Sequence, residues 1–89
     1  MATFTCEVPL RWVDLDAQGH VNNAVVLDYL QEARVQFLLR GPNAHLLGRA
    51  AIVVGHRVQY LRPVQFSPDP ISVELRVTDV RPGQWTLAY

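Results

Sequence analysis

The chain of 89 residues contains no lysine and a single cysteine, and its eight arginines are balanced by eight acidic residues. A neutral chain without a basic stripe gives no support to a nucleic-acid partner. One cysteine, Cys6, cannot close an internal disulfide, so nothing indicates an oxidising compartment. No apolar run approaches the roughly 18–20 residues of a membrane span, and the first ten residues lack an apolar signal core. We therefore expect a cytoplasmic protein without membrane or nucleic-acid partners.

The composition that remains is typical of a folded domain. Hydrophobic residues make up 49% of the chain and charged residues 18%, which argues against a disordered segment. The length fits one domain over residues 1–89. Cys6 lies among alternating apolar residues, so we interpret it as a small core residue and not as a nucleophile.

Two kinds of hydrophobic periodicity follow one another in the first half of the chain. Apolar residues alternate over residues 3–12, which predicts a half-buried strand. Over residues 24–39 they recur every three or four positions, which predicts a helix with one apolar face. Asn22 or Asn23 is a natural cap at the start of this helix.

Three further strands are predicted after the helix, at residues 51–61, 71–79 and 85–89, with a loop or short turn at 45–49. This order of elements, one long helix and then strands joined by short turns, predicts a two-layer α+β fold. The last predicted strand stops with the chain, which leaves a sheet edge unpaired. We therefore expect the native protein to carry further C-terminal strands.

Residues that can carry chemistry are concentrated immediately before the predicted helix, with Asp14, Asp16, Gly19 and His20 ahead of two asparagines. The start of a helix presents free backbone N–H groups and a partial positive charge, which can polarise a carbonyl oxygen. A carboxylate beside it would supply a nucleophile or a base, so the stretch suits acyl transfer or hydrolysis. A third strong metal ligand is missing from this spacing, so we expect no metal.

Three stretches carry a family resemblance: RWVDLDAQGHVNN at residues 11–23, YLQEAR at 29–34 and VQYLRPV at 58–64. In this order they resemble the 4-hydroxybenzoyl-CoA thioesterase family. The resemblance implies a hot-dog fold, an α+β arrangement in which a curved antiparallel sheet wraps one long central helix. It covers essentially the whole chain and agrees with the order of elements predicted from periodicity.

The resemblance also implies an activity and its residues. The family hydrolyses thioesters of coenzyme A, sometimes of acyl carrier protein, and coenzyme A is part of the substrate, so no separate cofactor is expected. The catalytic carboxylate falls on Asp16, as nucleophile or general base, and His20 would orient the substrate or the attacking water. The backbone around Val21, Asn22 and Asn23 would polarise the thioester carbonyl. A homodimer or homotetramer, with sites formed between subunits, is the implied assembly.

Two other functions stay open on the sequence. A hot-dog dehydratase or hydratase would pair His20 with a carboxylate such as Glu32, although its pattern around the histidine differs. A non-catalytic acyl-CoA-binding or assembly module is the second alternative. Among the individual residues, Asp14 is interpreted as a turn residue, and the two asparagines before the helix as caps first.

Overall fold

A computed structural model describes residues 3–41 and 52–89. Its elements, in chain order, are strand β1 (Phe4–Val8), the short 3₁₀ turn η1 (Trp12–Asp14), helix α1 (Asn23–Arg40), and strands β2 (Ile71–Arg81) and β3 (Gln84–Ala88). The strands form one antiparallel sheet in the order β1-β2-β3, and α1 packs against β1 and β2. The two-layer α+β arrangement predicted from the sequence is confirmed.

Strands β1 and β2 pair through the alternating stretches that predicted them. Cys6 lies opposite Val73, and both side chains are buried in the core beneath the helix. Leu75, at the centre of β2, is fully buried. β1 ends earlier than the predicted strand, which ran to residue 12, because Pro9 has no N–H to donate to a ladder.

Helix α1 buries a single stripe of side chains, Tyr29, Ala33 and Phe37, spaced four residues apart. Residues at this spacing lie above one another on the same face of a helix. The side-chain oxygen of Asn22 accepts a hydrogen bond of 2.9 Å from the N–H of Ala24, so Asn22 is the cap. The predicted helix is confirmed and is one residue longer at each end.

The strand predicted at residues 51–61 is wrong over residues 52–61, which form no strand. This segment is largely exposed, with Val54 at 96% and Leu61 at 85% of full exposure. Alternation produces a strand only where a neighbouring strand completes the hydrogen-bond ladder. In the part of the chain that the structure describes, the three strands pair with one another and none pairs with this segment. The predicted loop at 45–49 lies outside the described residues.

From Tyr60 to Val64 the chain runs along the beginning of α1. The hydroxyl of Tyr60 donates to the carbonyl of Asn23 at 2.8 Å. The N–H of Val21 donates to the carbonyl of Val64 at 2.7 Å. The connection between the helix and β2 is therefore attached to the residues that precede the helix, where the chemically informative part of the sequence lies.

Candidate active site

Three of the predicted site residues, Asp16, His20 and Val21, lie in the connection between η1 and the cap of α1, residues 15–21, which we call the aspartate loop, and Asn22 and Asn23 follow it directly. Leu15 and Val21 form an antiparallel bridge across it. The N–H of Asp16 donates to the carbonyl of His20 at 2.7 Å. The loop is thus a small hairpin-like turn, closed by its own backbone, with Asp16 near its tip.

The carboxylate of Asp16 has one oxygen fixed and one oxygen open. Its Oδ1 accepts the N–H of Gln18 at 2.9 Å and the N–H of His20 at 3.1 Å. Within residues 3–41 and 52–89, no hydrogen bond reaches Oδ2. Gly19 completes the turn with a φ of +78°, a conformation that glycine adopts without a steric penalty. The loop therefore orients an exposed carboxylate and leaves its Oδ2 without a hydrogen-bond partner among the described residues.

Asp14, two residues earlier, has the opposite environment. It is only 7% exposed, and both of its oxygens are occupied. Arg11 donates from Nε to Oδ2 and from Nη2 to Oδ1, each at 2.8 Å, in the forked geometry typical of a strong arginine–carboxylate pair. The hydroxyl of Tyr29, the first residue of the buried stripe of α1, donates to Oδ2 at 2.7 Å.

These contacts shift the pKa values of the three residues. The hydrogen bonds from Arg11, followed by that from Tyr29, hold the pKa of Asp14 below its usual range. The hydrogen bond to Asp14 in turn raises the pKa of Arg11. Burial is the main cause that raises the pKa of Tyr29, so its hydroxyl remains a donor. Asp14 does belong to a turn, as expected, but its side chain is buried and forms an ion pair with the exposed side chain of Arg11.

The sequence contained part of the signal for this cluster. Arg11 and Asp14 are three residues apart, a spacing at which side chains meet across a helical turn. Tyr29 lies fifteen residues beyond Asp14, and no local pattern connects the two. The sequence alone therefore assigns no individual role to Arg11 or Tyr29, which appear there only as members of the family motif.

The three N–H groups predicted to polarise a carbonyl are not equally available. The N–H of Val21 donates to Val64, and that of Asn22 donates to the carbonyl of Asp14 at 3.0 Å. Of the three, only the N–H of Asn23 has no acceptor among the residues that the structure describes. It is also the first N–H of an 18-residue helix, at the positive end of the helix dipole.

An open hollow of about 270 Å³ adjoins the aspartate loop. His20, which is half-buried, lines it together with Trp12 and Phe66. The two aromatic rings meet edge to face with centroids 5.0 Å apart, although Trp12 is 73% exposed. The hollow therefore places two aromatic residues beside the histidine that the sequence singled out, and Gln18 and Gln65 also line it.

A metal site, a cysteine nucleophile and a dehydratase site are less well supported than the aspartate loop in the described ranges, 3–41 and 52–89. No group of three or more His, Cys, Asp or Glu residues is placed to hold a metal ion there. Cys6 is buried, and burial raises the pKa of its thiol, so it is a core residue as predicted. Glu32, the carboxylate considered for a dehydratase, is exposed on α1. None of the helices described is long and apolar enough to cross a membrane.

Comparison with known proteins decides the family. The sequence model of the thioesterase-like superfamily matches residues 10–89. The chain belongs to this superfamily. A solved structure from Xanthomonas campestris, provisionally named an acyl-CoA thioesterase, is 36% identical with a TM-score of 0.77, and the match covers 94% of this chain and 71% of that one. A second, from Pseudomonas aeruginosa and provisionally named a thioesterase, is 32% identical with a TM-score of 0.77, and covers 93% of this chain and 64% of that one. No protein of curated function matches significantly.

The membership confirms two expectations and leaves others as predictions. The thioesterase resemblance and the α+β hot-dog fold are confirmed, because both solved structures superpose on nearly the whole chain. The roles assigned to Asp16, His20, Val21, Asn22 and Asn23 stay predictions. The described geometry favours Asp16 and Asn23 among them, because Oδ2 of Asp16 and the N–H of Asn23 have no hydrogen-bond partner among the described residues.

Proposed function

We propose that the protein hydrolyses acyl-CoA thioesters to a free acid and coenzyme A, with Asp16 as the reacting carboxylate. Membership of the thioesterase-like superfamily supports thioester hydrolysis as the class of reaction. The acyl-CoA substrate is supported by the provisional name of the Xanthomonas protein. The choice of Asp16 depends on one observation. Both oxygens of Asp14 are bound inside the fold, whereas Oδ2 of Asp16 is open among the described residues.

Two routes use this oxygen. As a nucleophile, Oδ2 of Asp16 attacks the thioester carbon, the C–S bond breaks, and coenzyme A leaves as a thiolate that takes a proton from solvent. Water then opens the mixed anhydride, which releases the acid and restores the carboxylate. As a general base, Asp16 takes a proton from a water molecule that attacks the thioester carbon directly; the C–S bond then breaks, and the departing thiolate of coenzyme A takes up the proton from Asp16. A single turnover in ¹⁸O-water separates the routes, because only the anhydride route can leave label in Asp16.

Both routes develop negative charge on the thioester oxygen. The N–H of Asn23 is the proposed donor, since those of Val21 and Asn22 already have protein acceptors. Loss of one such donor typically lowers kcat by about 10²–10³-fold. His20 is proposed to orient the thioester or the water, because its side chain lines the hollow beside the aspartate loop. The walls of Trp12 and Phe66 suit the apolar part of an acyl group.

The wider context of the proposal follows the family resemblance. The active form is a homodimer or homotetramer of hot-dog domains, with residues 1–89 in a single domain of each subunit, and it works in the cytoplasm. Coenzyme A, or an acyl carrier protein in its place, enters as part of the substrate, and no other cofactor takes part.

Thiol release from a panel of acyl-CoA thioesters, from short to long chains and including an aromatic one, tests the proposal. Asp16→Asn is a sharp probe, because the asparagine oxygen still accepts from Gln18 and His20 while the charge is removed. We expect wild-type turnover and a loss of about 100-fold or more in Asp16→Asn. The control is Asp79→Asn, which removes the same charge from an exposed pair with Arg81 and should leave the rate unchanged.

Two results would contradict this proposal. Wild-type turnover by folded Asp16→Asn would exclude Asp16 as the reacting carboxylate. Binding of acyl-CoA without thiol release by the wild-type protein would favour the non-catalytic binding module.

A further inference from the structure

We infer that Tyr29 is a positioning residue for Asp16: acting through Asp14, it fixes the aspartate loop against the first turn of α1 and thereby sets the rate of the reaction. The inference rests on the proposed function for its effect on rate. Its structural part, the attachment of the loop to the helix, does not depend on that function.

The hydroxyl of Tyr29 joins the helix to both ends of η1. It donates to Oδ2 of Asp14 at 2.7 Å and accepts the N–H of Arg11 at 3.2 Å. Tyr29 is only 4% exposed and lies in the second turn of α1, so its ring is packed in the core of the domain. One hydroxyl thus holds the residue before η1 and the last residue of η1 on a rigid element.

Asp14 carries this constraint to the beginning of the helix. Its carbonyl accepts the N–H of the cap residue Asn22 at 3.0 Å, while its side chain is bound by Tyr29. Asp14 is therefore attached to α1 at two points, one at the cap and one in the second turn. Two points of attachment fix the position and the tilt of the loop relative to the N–H of Asn23.

The loop cannot supply this alignment by itself. The hydrogen bonds of Asp16 to Gln18 and His20 lie within the loop and fix the carboxylate only relative to the loop. Catalysis needs the carboxylate and the oxyanion donor aligned on the same carbonyl, and a misplacement of about 1 Å can cost about 100-fold in rate.

Stability alone is a poor reason for the cluster. The Arg11 side chain is 63% exposed, and an ion pair with an exposed partner typically contributes little to stability, so the pair is weak evidence for a stabilising role. A forked and directional contact is instead suited to fixing one geometry. Placed two residues before Asp16, the Arg11–Asp14–Tyr29 cluster is suited to set the geometry of the site.

Tyr29→Phe tests the inference, because it removes the hydroxyl and keeps the buried ring. At a temperature where circular dichroism shows a folded protein, we expect kcat to fall by about 10- to 100-fold, with KM changed by less than about threefold because the substrate contacts remain. Tyr89→Phe is the matched control, since among the described residues its hydroxyl meets only the half-buried Arg34, at 3.3 Å. Its kcat should equal that of the wild type.

Arg11→Lys is the second variant, in case Tyr29→Phe folds poorly. The Arg11 side chain is 63% exposed, so lysine is accommodated, but it keeps the charge without the fork. We expect the same kinetic effect as in Tyr29→Phe, a lower kcat with a nearly unchanged KM. An unchanged kcat in either folded variant would overturn the inference.

Amide hydrogen exchange provides a readout that does not need activity. In folded Tyr29→Phe, the N–H of Asn22, which donates to Asp14, should exchange at least about tenfold faster. The N–H of Phe37, deep in α1, should keep its wild-type rate. If the wild type hydrolyses no thioester, the proposed function fails and exchange alone decides: faster exchange at Asn22 supports the positioning role, and unchanged exchange refutes it.

Discussion

Tyr29→Phe should also reveal what the buried cluster contributes to folding. The mutation leaves the ring in the core and removes a hydrogen bond of 2.7 Å to an ionised carboxylate. A hydrogen bond to a charged group contributes about 1.5–3 kcal/mol, and no cavity term is added because the ring stays. We therefore predict that the free energy of unfolding at pH 7 falls by about 1.5–3 kcal/mol, measured by urea denaturation. Tyr89→Phe, at the exposed site, should change it by less than about 0.5 kcal/mol.

The same prediction has a pH dependence with a defined sign. The pKa of Asp14 is lowered in the folded protein, chiefly by the hydrogen bonds from Arg11. Its ionised form therefore stabilises the fold at pH values above the ordinary aspartate pKa of about 3.9, and this stabilisation is lost as the pH falls through the lowered pKa. The difference between wild type and Tyr29→Phe should be complete at pH 7 and should shrink below about pH 4. An equal difference at both pH values, or none at pH 7, would refute this interpretation.

Three further changes test the fold around the site by urea denaturation. Leu75→Ala opens a cavity at a fully buried position and should cost about 2–5 kcal/mol; a cost below about 1 kcal/mol would contradict the core described above. Gly19→Ala introduces a Cβ with nothing within 4 Å, so only the backbone conformation resists it, at about 1–2 kcal/mol, and an unchanged stability would mean that the loop is not held at positive φ. Asn22→Ala removes the cap of α1 and should cost about 0.5–2 kcal/mol, most of which Asn22→Ser should restore; equal losses in both variants would exclude a capping role.

The sequence predicted those elements whose signal is local. The helix and strand β2 follow from the spacing of apolar residues alone, because each side chain's environment repeats with the geometry of its own element. The turn between β2 and β3 follows from Pro82-Gly83, where Gly83 has a φ of +77° that glycine tolerates. The position of the site before the helix follows from the capping residues and from the family motif.

What the sequence did not predict depends on contacts between distant residues. Asp14 and Asp16 are the same residue type two positions apart, and Tyr29, from the next element, helps to bury only the first. The N–H of Val21 is occupied by Val64, far along the chain. The segment 52–61 has the alternation of a strand, yet a strand also needs a hydrogen-bonded neighbour, which a pattern within the segment cannot provide.

We assign the reaction to Asp16 and a structural role to Asp14. This assignment is tested most directly by comparing kcat and the urea midpoint of Asp16→Asn with those of Asp14→Asn. The amide oxygen in Asp16→Asn would keep the acceptor for both N–H groups of the loop, so we predict a wild-type midpoint with kcat lower by about 100-fold or more. In Asp14→Asn the amide cannot accept from Arg11 on both sides, so we predict a lower midpoint at pH 7. A folded Asp16→Asn with wild-type kcat, together with an inactive Asp14→Asn of unchanged midpoint, would contradict the assignment and place the chemistry on Asp14.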